Sequence, residues 1–204
     1  MWRWEQEKLF ELWKNGEKII MSKVYAFMAD GLEEIECLAV VDILRRAGVD
    51  CETVSITGDD RITGSHNIRI ITDKLWNEIE LCEKDVLFLP GGMPGTKHLG
   101  EFAPLCDALK NHAAAGGRMA AICAAPSVLG DLGLLVGKKA TCYPGFEERL
   151  VGATYVCDGV VTDGNVTTAR GMGFAIDLGL ELVKLLNGEE QARELKAAIQ
   201  HNAL

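Results

Sequence analysis

The sequence predicts an α/β fold: a parallel sheet covered by helices on both faces, with a nucleophile elbow at the end of one strand. Three observations predict it. From Met21 onward, short apolar strands alternate with amphipathic helical stretches. Two strands run into turns of glycine or small residues, Leu89-Pro90-Gly91-Gly92 and Ile122-Cys123-Ala124-Ala125. The 204 residues, 48% hydrophobic and 25% charged, have the size and balance of one domain with a sizeable core.

Strands are expected at Lys23–Ala29, Cys51–Ile56, Val86–Pro90 and Met119–Ile122. Between the first two, Cys37, Val40, Val41, Leu44 and Ala47 recur at helical spacing, and Gly48 stands where a helix ends. Leu99, Phe102, Cys106, Leu109 and Ala113 predict one further helix, broken by Gly116-Gly117. After Cys123 come a helix and then short β segments around Thr154–Val156, Val160–Val161 and Val166–Ala169, with turn signals at Asp158-Gly159 and Asp163-Gly164-Asn165. Phe174, Leu178, Leu182 and Leu185 begin a long helix that Asn187-Gly188 terminates, and Ala192, Leu195 and Ile199 mark a last one. No internal repeat or linker interrupts residues 21–204, which read as a single domain.

Residues 1–20 stand apart as an N-terminal extension. They hold three of the four tryptophans and charges throughout, without the apolar stretch of a signal peptide. Gly16-Glu17 is encoded by codons that can spell a purine-rich ribosome-binding site ahead of Met21, so Met21 is the expected natural start and the extension is expected not to be native.

The net charge of −9 and pI near 5.0 argue against nucleic-acid binding and against adhesion to anionic membranes, since both need a basic surface. No apolar run approaches the ~18 residues of a membrane span. Seven scattered cysteines without CxxC pairs, in a chain without a secretion signal, suggest reduced thiols in the cytoplasm. Most are expected to be small apolar packing residues.

One of them stands out. In Met119-Ala120-Ala121-Ile122-Cys123-Ala124-Ala125-Pro126 an apolar strand runs straight into a thiol, small neighbours permit a cramped backbone, and Pro126 suits a first helical turn. A thiol at a helix N-terminus is expected to ionise below the ~8.5 of free cysteine. Gly91 and Gly92 can turn backbone N–H groups towards an oxyanion. Asp30-Gly31-Leu32-Glu33-Glu34-Ile35-Glu36 places three glutamates at a helix start, where they can simply complement the dipole. Glu36 adjoins the apolar face beginning at Cys37, so it can point inward and keep its proton. His98, His112 and His201 lack metal-ligand spacing and read as surface residues.

GLEEIE, LPGG, AAICAAP and TARGMG (Thr168–Gly173), in this order and spacing, resemble the ThiJ/PfpI superfamily, specifically a bacterial-type member of its DJ-one, or Parkinsonism-associated deglycase, branch. The resemblance runs from Met21 to the C-terminus. It implies a flavodoxin-like, doubly wound, mostly parallel sheet, a homodimer, and an oxidation-sensitive cysteine bonded to a protonated glutamate. By motif position these are Cys123 and Glu36. Gly91, Gly92 and Ala124 would form the oxyanion side of the pocket, and Arg170 would lie near it across the dimer contact. Three departures bear on chemistry. Tyr143 stands where many members carry His, which removes an acid/base working near neutrality. His66 stands where a stronger base is usual, weakening anion binding in the pocket. Ala124 replaces the His that follows the cysteine in protease-like members, disfavouring Cys-His peptidase chemistry.

The resemblance implies a cofactor-free, metal-free, cysteine-dependent glyoxalase or deglycase acting on methylglyoxal or its adducts. The alternative is a redox-regulated chaperone or thiol sensor without significant turnover, in which peroxide oxidises Cys123.

Overall fold

The computed structural model describes residues 22–201. The expected extension over 1–20 and the start at Met21 lie outside the described residues. Along the chain the strands are β1 (Val24–Met28), β2 (Cys51–Ser55), β3 (Arg61–Thr63), β4 (Arg69–Ile71), β5 (Lys74–Leu75), β6 (Val86–Leu89), β7 (Arg118–Ile122), β8 (Lys139–Ala140), β9 (Thr154–Tyr155), β10 (Val160–Asp163) and β11 (Val166–Ala169). The helices are α1 (Glu34–Arg46), α2 (Gly95–Glu101), α3 (Ala103–Ala114), α4 (Pro126–Asp131), α5 (Ala175–Asn187) and α6 (Glu189–Ala198).

Seven strands form the central sheet in the order β10-β11-β7-β6-β1-β2-β5, parallel throughout except for the antiparallel edge strand β10. Because successive side chains of a strand point to opposite faces, each central strand serves two cores. Val24, Ala26 and Met28 of β1 pack with the layer of α1 and α5, while Tyr25 and Phe27 pack with the layer of α2, α3 and α4. This is the doubly wound, flavodoxin-like arrangement. The chain leaves β1 towards β2 on one side and returns to β6 on the other, so the order reverses between β1 and β6. A crevice opens at such a point, outside the carboxyl ends of the strands.

The α1–α5 contact matters for the site, because α1 carries Glu36. It is close: a Cβ on Gly179 would lie 2.8 Å from Ile43 Cβ. Gly48 (φ +74°) and Gly188 (φ +98°) end α1 and α5 in the left-handed or otherwise glycine-favouring conformations expected of them.

The structure corrects three expectations. The single helix across Leu99–Ala113 is two, α2 and α3, separated at Phe102 (φ −81°, ψ 93°), because Pro104 in the first turn of α3 lacks the N–H needed to continue. The β3–β4 hairpin is not among the expected elements, because its strands have three residues each, too few for alternation to register. His112 is buried rather than a surface residue, with Nε2 3.0 and 3.2 Å from the carbonyl oxygens of Asp85 and Arg118. Both partners accept, so Nε2 donates. His98 and His201 are also engaged, with Asp30 O and Asp177 Oδ1, each at 2.9 Å. No helix among the described residues is long and apolar enough to cross a membrane.

Phe88 is fully buried on the central strand β6, facing the α1–α5 layer. Phe88→Ala should lower the free energy of unfolding by about 3–5 kcal/mol in a urea titration. A loss below about 1 kcal/mol would mean that this layer is not close-packed.

Candidate active site

Cys123 follows β7 directly, and its backbone is strained: φ is +64°, in the left-handed region that non-glycine residues rarely adopt. The turn is held by short bonds. Cys123 N–H donates to Ala169 O at 2.9 Å, Ala125 N–H to Ile122 O at 3.0 Å, and Ser127 Oγ–H to Ala124 O at 2.7 Å. The small side chains of Ala124 and Ala125 fit this crowded bend, as an elbow requires. The helix beyond is short, only six residues from Pro126 to Asp131.

The three glutamates divide into three roles. Glu33 caps α1, its Oε2 accepting Glu36 N–H at 2.6 Å. Glu34 is buried, and its carboxylate accepts His66 N–H at 2.7 Å, lies 2.9 Å from His66 Nδ1, and is reached by Ser65 Oγ at 3.3 Å. Glu36 is 1% exposed and reaches the Cys123 side chain; its carboxylate also accepts the N–H groups of Gly91, at 3.1 Å, and of Met172. Gly91 fits between the two functional groups only because it lacks a side chain: a Cβ there would lie 2.3 Å from Glu36 Oε2 and 2.6 Å from Cys123 Cβ. Gly92 (φ +88°) is equally confined, since a Cβ would meet Glu33 N at 2.2 Å. Its N–H and that of Ala124 donate to the thiol.

Residues 22–185 match the model of the DJ-1/PfpI family. The chain belongs to that family. Among curated relatives, protein dj-1beta of Drosophila melanogaster is 37% identical over 178 residues, covering 86% of this chain and 95% of the relative. The glutathione-independent glyoxalase DJR-1.2 of Caenorhabditis elegans is 30% identical, covering 80% and 87%. Among solved structures, oxidized Toxoplasma gondii DJ-1 superposes with a TM-score of 0.83 at 34% identity, covering 88% of this chain and 98% of that one. These matches bear out the resemblance to the DJ-1 branch of the superfamily and the flavodoxin-like fold.

The electrostatics of this DJ-1/PfpI site differ from the sequence expectation. Burial pushes the Glu36 carboxyl up to about 7; the Glu33 charge adds to this, and the bonds from Cys123, Gly91 and Met172 oppose it. The Cys123 thiol, expected below the range of free cysteine, is instead pushed up to about 12, first by burial and then by the Glu36 charge and hydrogen bond. The N–H groups of Ala124 and Gly92 only partly offset these effects. The pair therefore behaves as one unit that loses a first proton near neutrality and holds the second far above it. A thiolate exists at neutral pH only while Glu36 carries the remaining proton.

The structure brings Gly91, Gly92 and Ala124 against the pair. Tyr143 also adjoins it: its N–H donates to Cys123 O at 2.8 Å, and its half-exposed ring lies over Gly171, where a Cβ would sit 3.3 Å from Cδ2. Arg170 is half-buried beside Cys142 and Tyr155 and makes no ion pair with the described residues. The His66 ring turns to Glu34 rather than to the thiol. A shared ion at Glu33, Glu34 and His66, whose donor atoms lie within 4.8 Å of one another, would have to displace the donors already on Glu34. The Met172 N–H on Glu36 escaped sequence reading, although TARGMG pointed to its segment.

Glu36 makes stability depend on pH with a defined sign. Its native value exceeds the ~4.3 of an unfolded chain, so its contribution is full below ~4.3 and is lost as pH rises towards about 7, by at most about 1.4 kcal/mol per pH unit. Glu34, depressed to about 2 because the His66 ring and backbone N–H bonds outweigh burial, is level across that window. His66, raised by Glu34, also loses its contribution as pH rises, but equally in both proteins compared. Relative to wild type, Glu36→Gln should therefore gain stability as pH rises from 5 to 7.5 in thermal melts; parallel curves would show that Glu36 is not held protonated.

Proposed function

We propose that the protein is a cofactor-free, cysteine-dependent glyoxalase or deglycase acting on methylglyoxal or on its early adducts with protein groups. The observation that carries this reading is the pair of the part-buried Cys123 and the buried Glu36, sharing a proton beneath the N–H groups of Gly92 and Ala124. The relative named as a glutathione-independent glyoxalase supports the reaction class.

The pair offers both groups that the isomerisation needs. Sγ attacks the aldehyde carbon while Glu36 gives its proton to the developing oxyanion, forming a hemithioacetal. The carboxylate left behind removes the C1 hydrogen and returns a proton to C2, moving oxidation from one carbon to the other without an external oxidant. The product is a lactoyl thioester on Cys123. Water hydrolyses it, releasing lactate and restoring the shared proton. Cys123→Ala should abolish methylglyoxal turnover in a lactate-release assay. Glu36→Gln should lower kcat by about 100-fold or more, since the amide cannot shuttle protons.

Tyr143 tunes this scheme. A phenol carries protons poorly at neutral pH, whereas an imidazole both gives and takes them. Tyr143→His should raise kcat, and Tyr143→Phe should leave it nearly unchanged. A large loss in Tyr143→Phe would place the hydroxyl in the reaction.

The second reading is a thiol sensor or redox-regulated chaperone, favoured by the relative solved in an oxidized form. Peroxide should then oxidise Cys123 before the six other cysteines, as peptide mass spectrometry would reveal, and suppression of client aggregation should depend on that oxidation.

We further propose a homodimer. Ile35 and Leu38 are exposed on α1, and Ile68 and Ile71 on the neighbouring hairpin, the last at 73% exposure. The two sets adjoin, since Ile68 N–H bonds to Glu34. Clustered apolar surface of this kind marks contact sites. Light scattering should give twice the chain mass, and Ile71→Lys should shift it towards the monomer; a wild-type monomer at micromolar concentration would remove the dimer reading.

A further inference from the structure

The β1–α1 loop, residues 29–33, is clasped from both sides. On one side the β3–β4 hairpin binds it through Gly31 N–H to Thr63 O at 2.8 Å, Ser65 N–H to Leu32 O at 2.8 Å and Thr63 N–H to Asp30 Oδ1 at 2.8 Å. On the other, the loop after β6 binds it through Glu33 N–H to Gly91 O at 2.9 Å and Gly95 N–H to Gly31 O at 3.1 Å. The loop and the first turn of α1 thus lie between the hairpin and the Gly91 segment that touches Glu36 and Cys123.

Glu34 is the side chain through which the hairpin grips that turn. It is 2% exposed, and it fills the hairpin bend so tightly that a Cβ on Gly64 would lie 2.2 Å from its Oε1. A buried carboxylate needs its full set of donors. The one donated by a side-chain ring, His66 Nδ1, comes from a residue whose side chain is otherwise 69% exposed. The charged groups of α1 that face it are Glu34 and, more weakly, Glu33.

We propose that His66 is a positioning residue for Glu36: its ring anchors Glu34, which holds the first turn of α1 and so fixes where the Glu36 carboxyl meets Cys123. Glu34 and Glu36 are two residues apart on one turn, and Glu33, just before Glu34, caps that same turn by accepting Glu36 N–H at 2.6 Å. Displacement of a reacting group by as little as 1 Å can cost up to about 100-fold in rate. Loosening the turn would also let water reach Glu36 and relax the burial that keeps its proton on.

The role rests on the proposed Cys123–Glu36 chemistry, so the test has one readout that needs no turnover. Removing the ring leaves the backbone bonds of the hairpin and the N–H at position 66 in place, and His66→Ala is therefore expected to fold. Its kcat for methylglyoxal should fall about 10-fold with KM unchanged within twofold. The pH midpoint of Cys123 alkylation by iodoacetamide should move down towards that of an unburied carboxyl. His66→Asn, which keeps an N–H donor near the position of Nδ1, should recover most of both effects. An alkylation profile in His66→Ala that superimposes on wild type would overturn the proposal. So would His66→Asn behaving no better than His66→Ala. If the wild type does not turn over methylglyoxal, the glyoxalase reading falls, while the alkylation profiles still decide the role of His66.

Discussion

The geometry of this site hangs on one buried carboxyl group. Glu36 sits almost wholly out of water at the carboxyl edge of the sheet, and a charge there is costly unless it is partnered. Its partners come from three separate parts of the chain: Gly91 after β6, Cys123 after β7 and Met172 after β11. Satisfying one side chain therefore draws three loops to a common point. The absence of a side chain at Gly91 belongs to that convergence, because a Cβ there would overlap Glu36 and Cys123, while one at Gly92 would overlap the backbone of the adjoining β1–α1 loop. The strained φ of Cys123 belongs to the same constraint.

The convergence also determines what the thiol can be. Considered alone, a cysteine at a strand-to-helix bend would be an ionised nucleophile. In the folded chain it is partly shielded from solvent and stands against a carboxyl group that competes for the same charge. Thiolate character is thereby tied to protonation of Glu36, and one proton serves both groups. Such an arrangement suits chemistry in which a proton must be given and then taken at adjacent atoms, because the acid of the first step becomes the base of the second.

The wider fold supplies rigidity to this point. Close packing of Gly179 on Ile43 seats α1 against α5, the β3–β4 hairpin grips the first turn of α1 through Glu34, and the parallel sheet holds β6 and β7 in register. Each brings one member of the pair, or its neighbour, to a defined place. Residues that look peripheral in the chain, such as His66 in a polar hairpin, thus connect to the reactive group through Glu34 and the helix turn that carries Glu36.

The sequence by itself determined the fold class, the main strands and helices, and the elbow at Cys123, because these rest on local rules: apolar periodicity, glycine at helix ends, and small residues around a bend. It also singled out Glu36, since that residue borders the apolar face of its own helix. Only the tertiary structure decided what depends on distant neighbours. Local spacing gives Glu33 and Glu34 no distinct roles, yet Glu33 caps the helix and Glu34 anchors the hairpin, according to which segment folds against each. The burial of His112 and the turn of His66 away from Cys123 are settled in the same way. The direction of the thiol's shift was misread for a related reason: the helix beyond Cys123 is legible in the sequence, but the desolvation that outweighs it arises only when strands far apart in the chain close around the site.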